Sequence, residues 1–306
     1  MYHMPVLLHE AIEGLRIDPA GIYVDCTFGG GGHSRAILDK LSSKGKLIAF
    51  DQDADAARNL PADDRIIFVP HNFRHLQRFL RLYKISFVNG ILADLGVSSH
   101  QFDVAERGFS TRFDAPMDMR MNQKEKLDAA EIIRHYSEEK LHKLFEQYGE
   151  VTNAKTLAKL IVEVRKTRSI TSVNSFKNAL YPIVKGNPEK YFAKVFQALR
   201  IEVNDELGAL MEMLRQADEV LCEGGRIAII TFHSLEDRVI KTFFKNGSFN
   251  EEKEADIYGH VAESGWKVIT KKPITASVQE LKINPRSRSA KLRIAEKMKV
   301  SQDKID

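Results

Sequence analysis

Short apolar runs, several of which end in an acidic residue, mark the first hundred residues of the chain. Runs this short and this uniformly apolar are typical of strands that are buried on both faces of a parallel sheet. They predict four strands, at residues 22–25, 46–51, 65–69 and 87–94. Three of these strands end in a carboxylate, namely Asp25, Asp51 and Asp94. Because the carboxyl ends of parallel strands meet at one edge of a sheet, the three aspartates are predicted to face one crevice, where such sheets bind ligands.

A helical period replaces the strand pattern in the middle of the chain. Four segments carry apolar residues at this spacing, at about 125–147, 151–166, 172–184 and 189–200. A further helix, residues 204–221, leads to a fifth strand at 226–233, and residues 266–270 and 290–295 are predicted to pair as terminal strands. The polar, glycine-containing residues 246–265 are predicted to be mobile.

Together these patterns predict an α/β protein with a mostly parallel sheet, helices on both of its faces and an inserted all-helical domain. At 306 residues the chain is long enough for two domains. Residues 1–107 are the predicted first part of the sheet domain, and residues 108–203 are the helical insertion. Residues 204–306 complete the sheet domain and end in a basic segment.

Four consecutive glycines, residues 29–32, separate the first strand from a helix. Without side chains they leave room for a ligand to approach backbone N–H groups at the helix N-terminus. The dinucleotide fingerprint G-x-G-x-x-G does not fit, because its third glycine falls on Ser34 or Arg35. An acid at the strand end, four residues before the first glycine, is instead the pattern of S-adenosylmethionine (SAM) enzymes. Asp51, 22 residues after Gly29, is placed to accept hydrogen bonds from both hydroxyls of a ribose. A tight turn without a ligand is the alternative.

Further candidate residues for cofactor binding and catalysis follow the third and fifth strands. Phe73 is placed to face an adenine, and packing in the core explains its spacing equally well. His233 and Glu236 are weaker catalytic candidates, with a satisfied turn and helix cap as the alternative. Ser234 is predicted to cap the helix that follows, with Asp237 at the capping-box position.

Composition and charge narrow the class of protein. No apolar run is long enough to span a bilayer, and the N-terminus lacks a signal-peptide pattern. The two cysteines, Cys26 and Cys222, lie far apart and the ten histidines show no ligand spacing, so no metal site is predicted. Residues 266–300 carry ten Lys or Arg against two Glu, and residues 105–203 carry 18 basic against 13 acidic side chains. This segregation of charge indicates a polyanionic partner.

Long motifs in a fixed order carry a resemblance to a known family. They are His-Met-Pro-Val-Leu-Leu (3–8), Cys-Thr-Phe-Gly-Gly-Gly-Gly-His-Ser (26–34), Asp-Leu-Gly-Val-Ser-Ser-His-Gln (94–101), Gln-Ala-Leu-Arg-Ile-Glu-Val-Asn (197–204), Phe-His-Ser-Leu-Glu-Asp-Arg (232–238) and Asn-Pro-Arg-Ser-Arg-Ser-Ala-Lys-Leu-Arg (284–293). With these motifs the sequence resembles the bacterial MraW/RsmH family over nearly its full length.

The resemblance implies a Rossmann-like, SAM-dependent methyltransferase core with an inserted helical domain, in a cytoplasmic protein. It implies methylation of the exocyclic N4 amine of a cytidine in the decoding centre, near the P site, of 16S ribosomal RNA. The RNA partner is then expected within the small ribosomal subunit. By motif match, the SAM contacts carry over to Gly31, Gly32, His33, Asp51, Phe73, Asp94 and Gln101.

The chemistry of cytosine suggests the remaining roles. The N4 lone pair is delocalised into the ring, so a hydrogen-bond acceptor near N4 favours the pyramidal, reactive amine. Asp94, the Ser98 or Ser99 hydroxyl, or a loop carbonyl is predicted to be that acceptor. Phosphate contacts are predicted for four basic residues, Arg286, Arg288, Lys291 and Arg293.

Three alternatives stay open on the residues alone. The first is an NAD-type oxidoreductase on the same fold, which the failed third glycine disfavours. The second is a non-catalytic RNA-binding or assembly factor, which the segregated charge fits equally well. The third is methyl transfer to DNA or protein instead of RNA.

Overall fold

The computed structural model describes residues 5–250 and 264–299. The chain forms two compact units, one made of Met1–Gly96 with Leu207–Asp306 and the other of Val97–Glu206. The sheet belongs to the first unit, and the second unit interrupts it in sequence. The predicted helical insertion, residues 108–203, lies within the second unit.

Seven strands form the sheet of the first unit. They are β1 (Ile22–Asp25), β2 (Lys46–Phe50), β3 (Ile66–Val69), β4 (Val88–Asp94), β5 (Leu221–Thr231), β6 (Trp266–Val268) and β7 (Lys291–Lys297). Their order across the sheet is β3-β2-β1-β4-β5-β7-β6. The first five strands are parallel, and β7 runs antiparallel to both β5 and β6. The predicted pairing of the terminal strands is therefore confirmed.

Helices cover both faces of this sheet. The helices of the chain are α1 (Leu8–Leu15), α2 (Gly32–Leu38), α3 (Leu76–Leu82), α4 (Ser99–Asp103), α5 (Ala129–His135), α6 (Glu138–Gln147), α7 (Ala154–Val164), α8 (Val173–Leu180), α9 (Pro188–Asn204), α10 (Glu206–Val220), α11 (Ser234–Asn246) and α12 (Val278–Ile283). On one face, α3, α10 and α11 bury side chains such as Leu80, Leu214 and Phe244 against the strands. On the other face, α1 and α2 bury Leu15 and Ile37. The predicted α/β class, with a mostly parallel sheet and helices on both faces, is confirmed.

The second unit is helical and has a core of its own. Helices α4 to α9 supply its apolar side chains, of which Phe145, Leu157, Phe176 and Val195 are completely buried. Burial of side chains of this size stabilises a fold by about 1.5–3 kcal/mol each relative to an exposed position. Residues 97–206 contribute no strand to the sheet.

The predicted helix at 125–147 is in fact two helices, α5 and α6. Tyr136 takes an extended conformation (φ −67°, ψ 142°), and the Ser137 hydroxyl caps α6 by accepting a hydrogen bond from the Lys140 N–H. The apolar spacing continues across this break, so the pattern alone could not locate it.

Strand β5 also differs from the prediction, because it begins at Leu221 rather than at residue 226. A register shift between Val88 and Gly90 of β4 accommodates the extra residues, and Gly224 takes a φ of 74° there. Of the stretch predicted to be mobile, residues 251–263 lie outside the described residues. None of the helices in the described ranges is long and apolar enough to cross a membrane.

Candidate active site

The glycine turn between β1 and α2 is shaped mainly by packing and backbone geometry. Gly29 (φ 50°) and Gly31 (φ 75°) take left-handed conformations that favour glycine. A Cβ on Gly32 would lie 2.2 Å from Cγ of Pro5, so the N-terminal segment requires glycine there. A Cβ on Gly30 would meet no atom within 4 Å. Gly30 therefore has open space beside its backbone and no left-handed φ that would require glycine.

Asp25, at the end of β1, stabilises the glycine turn through hydrogen bonds. Its carboxylate is fully buried and accepts hydrogen bonds from the Thr27 N–H (3.0 Å) and the Ser34 hydroxyl (2.6 Å). Burial raises the pKa of Asp25, and the Ser34 hydrogen bond opposes that rise. Because Asp25 is completely buried, it holds the strand, the turn and the helix together, and direct ligand contact is left to more exposed groups.

Asp51 follows β2 and retains capacity to accept hydrogen bonds. One oxygen accepts the Gly29 N–H (2.7 Å) and the other accepts the Asp53 N–H (2.8 Å). A carboxylate oxygen has two lone pairs, so each oxygen can accept one more donor, as a pair of vicinal hydroxyls would require. Burial raises the pKa of Asp51 to about 6, against the effect of these two hydrogen bonds.

Phe73 lies in a short 3₁₀ turn at Phe73–His75 that is tied to the same strand end. The Asn72 side chain caps this turn by accepting the Arg74 N–H, and its amide donates to the Gln52 side chain at 3.0 Å. The ring of Phe73 is partly buried against the core of the sheet. The ring is also partly exposed, so the core interpretation and the adenine interpretation are compatible.

Asp94, at the end of β4, and His33, at the start of α2, face each other across the turn. Nε2 of His33 lies 3.1 Å from the Val6 carbonyl oxygen, which can only accept, so Nε2 carries a proton. The other ring nitrogen, Nδ1, lies 3.7 Å from Oδ2 of Asp94. Burial lowers the pKa of His33, although the nearby charge of Asp25 opposes this. With its proton on Nε2 the neutral ring has none on Nδ1 to donate to Asp94, so His33 packs beside this carboxylate without a hydrogen bond to it.

The other oxygen of Asp94 and Nε2 of His233 are two buried atoms near this edge without a hydrogen bond among the described residues. Oδ1 of Asp94 is buried and has no hydrogen-bond partner in the described parts of the chain. Burial raises the pKa of Asp94 well above its usual range, and the charges of Asp25 and Glu236 add to that rise. The Asp94 N–H donates a 2.6 Å hydrogen bond to the Thr27 hydroxyl, which fixes this strand end. The unpartnered Oδ1 is thus a fixed acceptor of raised basicity, suited to receive a hydrogen bond from a substrate.

Ser98 and Gln101, two further residues of the motif at 94–101, lie in the second unit and cap α4. The Ser98 hydroxyl accepts the Gln101 N–H (3.2 Å), and the Gln101 side-chain oxygen accepts the Ser98 N–H (3.0 Å). This capping box engages the Ser98 oxygen with one hydrogen bond, and the role of this oxygen as the N4 acceptor stays a prediction. Ser99 is half-buried in the first turn of α4 and has no hydrogen bond from its side chain among the described residues.

Sequence reasoning placed the cap of α11 one residue too late. His233 caps this helix, with its Nδ1 accepting the Glu236 N–H at 3.4 Å and the Glu236 carboxylate accepting the Phe232 N–H at 3.0 Å. The predicted pair, Ser234 and Asp237, is therefore wrong. Both registers offer a capping residue followed by an acid three positions later, and only the extended backbone of His233 decides between them.

Asp237 instead anchors the basic C-terminal motif. Nε of Arg293 donates to Asp237 at 2.6 Å, and Nζ of Lys291 lies 3.3 Å from the same carboxylate. Burial opposes the charged form of Asp237, yet the hydrogen bonds and charges of these two cations lower its pKa. Arg293 is buried, so the predicted phosphate contact by this residue is wrong. Arg288 is exposed, and Arg286 and Lys291 are partly exposed.

Comparison with known proteins identifies the family. The model of the "MraW methylase family" matches residues 1–298. Proteins named "Ribosomal RNA small subunit methyltransferase H" are similar over almost their whole length: that of Parabacteroides distasonis is 52% identical over 299 residues, with 97% of this chain and 98% of the relative covered. That of Porphyromonas gingivalis is 54% identical over 304 residues, with 97% of each chain covered.

Among solved structures, an rRNA methylase from Streptococcus thermophilus matches 97% of this chain and 100% of its own at 13% identity, with a TM-score of 0.42. A likeness that weak adds nothing to the family evidence. The sequence matches confirm the resemblance drawn from the motifs and exclude an NAD-type oxidoreductase. The chain belongs to the MraW methylase family, a family of S-adenosylmethionine-dependent methyltransferases.

Proposed function

We propose that this protein transfers a methyl group from SAM to the exocyclic N4 amine of a cytidine in 16S ribosomal RNA, in the decoding centre of the small ribosomal subunit. One observation carries the choice of substrate. Relatives that are 52% and 54% identical over 97% of the chain carry the name of a methyltransferase of small-subunit ribosomal RNA. The N4 amine and the decoding centre follow from the motif resemblance.

The strand-end residues fit the cofactor. Asp51 has an acceptor position left on each oxygen for the two ribose hydroxyls, and Gly30 leaves its backbone open to approach. Gly31, Gly32 and His33 continue the same turn and are proposed to hold the methionine end through their backbone. The motif match adds Phe73, Asp94 and Gln101; for Gln101 that match is the only support.

SAM supplies an electrophilic methyl group when it is bound, so the protein needs to align and polarise the acceptor. Oδ1 of Asp94 is proposed to accept a hydrogen bond from the N4 amine, which draws the nitrogen lone pair out of conjugation with the ring. The neutral ring of His33 lies beside the other carboxylate oxygen, with Nδ1 at 3.7 Å. A preorganised group of this kind typically contributes 10²–10³-fold to a rate.

The substrate base has to leave its stack to reach a buried strand edge. Arg288, exposed on the basic C-terminal segment, with Arg286 and Lys291 beside it, is proposed to hold the flanking phosphates. Arg293 is left out of this set because its guanidinium is buried on Asp237. Its role is to fix the strand from which Lys291 projects.

The test uses SAM with a labelled methyl group and small ribosomal subunits from cells that lack this protein. The RNA is digested to nucleosides, and the label is located by mass spectrometry. We expect label on N4 of cytidine, at a rate that Asp94→Asn lowers. Label in DNA or protein, or SAM binding without any transfer, would contradict the proposal and favour the alternatives of another acceptor or a non-catalytic factor.

A further inference from the structure

A groove lies at the end of β4 opposite to the candidate active site. It has a volume of about 410 Å³, within the range of pockets that hold small ligands. Leu80, Ile85 and Val220 form its apolar floor, and Arg81, Lys84 and Phe87 lie along it. We call this feature the α3 groove, because α3 and the turn after it supply most of its lining.

Large apolar side chains are exposed beside the α3 groove. Leu82 is 66% exposed, Phe87 is 61% exposed and Tyr83 is 38% exposed. The hydrophobic pattern assigned Phe87 to the fourth strand, but β4 begins at Val88 and leaves the ring of Phe87 outside the sheet. Aromatic rings held at a surface in this way offer flat faces on which nucleobases stack.

Three cations on α3 and the turn after it form no ion pair with the one carboxylate of the groove lining, Glu219. Arg78, Arg81 and Lys84 are exposed, and in residues 5–250 and 264–299 none of them makes an ion pair. Arg74, one turn earlier, shows the contrast because it is paired with Glu212 at 2.9 Å. A row of unneutralised cations raises the local potential and attracts a polyanion.

The polar lining of the groove is suited to base edges. The Gln77 side chain donates to Glu219, the one carboxylate among the lining residues. This pair presents both an amide and a carboxylate toward a ligand, and carboxylates accept hydrogen bonds from exocyclic amino groups of bases. The groove therefore combines a stacking surface, phosphate-binding cations and groups that can pair with a base edge.

We propose that the α3 groove binds a single-stranded segment of the RNA substrate, with a base against Phe87 and the adjoining phosphates on Arg81 and Lys84. The inference rests on the proposed function, since it assumes an RNA substrate. A second copy of the chain is a poorer occupant, because a two-fold contact would bring the same three cations against one another.

The distance between the α3 groove and the candidate active site determines which kinetic parameter the RNA contact affects. Strand β4 has seven residues, so the groove and Asp94 are separated by roughly 20 Å along the strand. An anchor at that distance acts on a large RNA and has no effect on the reacting atoms. Its loss should raise the KM for the particle and leave kcat and SAM affinity unchanged.

The experiment compares two doubly charge-reversed proteins of equal net charge. Arg81→Glu with Lys84→Glu removes the cations of the groove, and Lys241→Glu with Lys245→Glu removes two exposed lysines from α11 as the control. A third variant, Phe87→Ala, removes the ring without changing charge. Methyl transfer is measured with small ribosomal subunits as substrate, and binding is measured with 16S ribosomal RNA over a series of salt concentrations.

We expect the groove double variant to raise KM about tenfold or more at unchanged kcat, and to flatten the salt dependence of RNA binding by about 1.4 in log–log slope. Phe87→Ala should weaken RNA binding about tenfold. An equal loss in the control pair, or no loss in the groove variants, would overturn the inference. If the wild-type protein methylates no subunit RNA, the proposed function fails, and the direct binding of 16S RNA still tests the groove.

Discussion

Two neighbouring parts of one sequence motif, the end of β4 and the helix α4, use their polar side chains in different ways. At the end of β4, Asp94 keeps one buried oxygen without a partner. In α4, Ser98 and Gln101 satisfy each other in a capping box. Both parts belong to the motif at residues 94–101, and the sequence alone did not rank Asp94 above Ser98 as the group that contacts the cytidine amine.

Under the proposed function, the difference ranks the two candidates, because a buried acceptor at the strand end without a partner is better suited to receive the cytidine amine than one used in a helix cap. A buried carboxylate oxygen without a partner costs free energy, and a fold retains it where a ligand supplies the missing bond. Asp25 and Asp51 show the same contrast within the sheet. Asp25 is completely buried and holds the turn, whereas Asp51 is partly exposed, so a ligand can reach the acceptor position left on each of its oxygens.

The largest expected effect on cofactor affinity is at Asp51. Asp51→Asn keeps the shape of the side chain and removes its charge, so SAM affinity should fall about 10- to 100-fold, as expected for loss of hydrogen bonds to a charged acceptor. The pKa of about 6 also makes the wild-type affinity pH-dependent. As the pH falls below about 6, Asp51 gains a proton and loses an acceptor position, so the dissociation constant should rise.

Isothermal titration calorimetry with SAM between pH 5 and 8 checks both parts of this prediction, where the pH limits bracket a pKa of about 6. The Asn variant serves as its own control, because its weaker affinity should not vary over this range. A wild-type affinity independent of pH would mean that Asp51 does not contact the cofactor in its ionised form.

A smaller effect, on stability, is expected at Arg293, which was predicted to contact phosphate and is buried in the structure. Arg293→Met leaves Asp237 with Lys291 alone, and we expect the free energy of unfolding to fall by about 2 kcal/mol, as for a partly broken buried pair. Because folding lowers the pKa of Asp237, the contribution of this pair is complete above the unfolded pKa of about 3.9 and is lost as the pH falls below it.

The matched variant is Arg288→Glu, at an exposed position of the same segment. It should weaken 16S RNA binding and leave stability unchanged, whereas Arg293→Met should lower stability and leave RNA affinity unchanged. Denaturant unfolding and filter binding measure the two quantities. The interpretation of Arg293 would be wrong if the two variants behaved in the opposite way.

The smallest effect is expected at Ser98. Ser98→Ala removes the cap of α4 and should lower the free energy of unfolding by about 1 kcal/mol. The rate of methyl transfer should change far less than in an Asp94 variant, because the serine oxygen is engaged by the Gln101 N–H. Ser98→Thr, which can cap the helix as well, should restore the stability.

The course of the sheet could be predicted from sequence because buried parallel strands are short, apolar and bounded by polar ends. The aspartates that end β1 and β4 were located in this way. The division of α5 from α6 was missed, since a serine cap interrupts the backbone without interrupting the apolar spacing. The cap of α11 was missed because two adjacent registers satisfy the same pattern.

The position of the candidate site could be predicted from the sequence, whereas the roles of its residues could be predicted only in part. Residue type and spacing brought Asp51, His33 and Asp94 to one edge, but they do not report which acceptor atoms are already used. Arg293 illustrates the same limit, because its partner Asp237 is 56 residues away in the sequence. Such pairings depend on the packing of α11 against β7, which no local pattern encodes.

The most direct test of the central claim compares Asp94→Asn with Ser98→Ala in single-turnover methyl transfer to small ribosomal subunits. The account predicts that Asp94→Asn lowers the rate about 10²–10³-fold and that Ser98→Ala lowers it less than about tenfold. It also predicts that the wild-type rate declines as the pH falls through the raised pKa of Asp94, and that this decline is absent in the Asn variant. A near-normal rate in Asp94→Asn, or a larger loss in Ser98→Ala, would contradict the account.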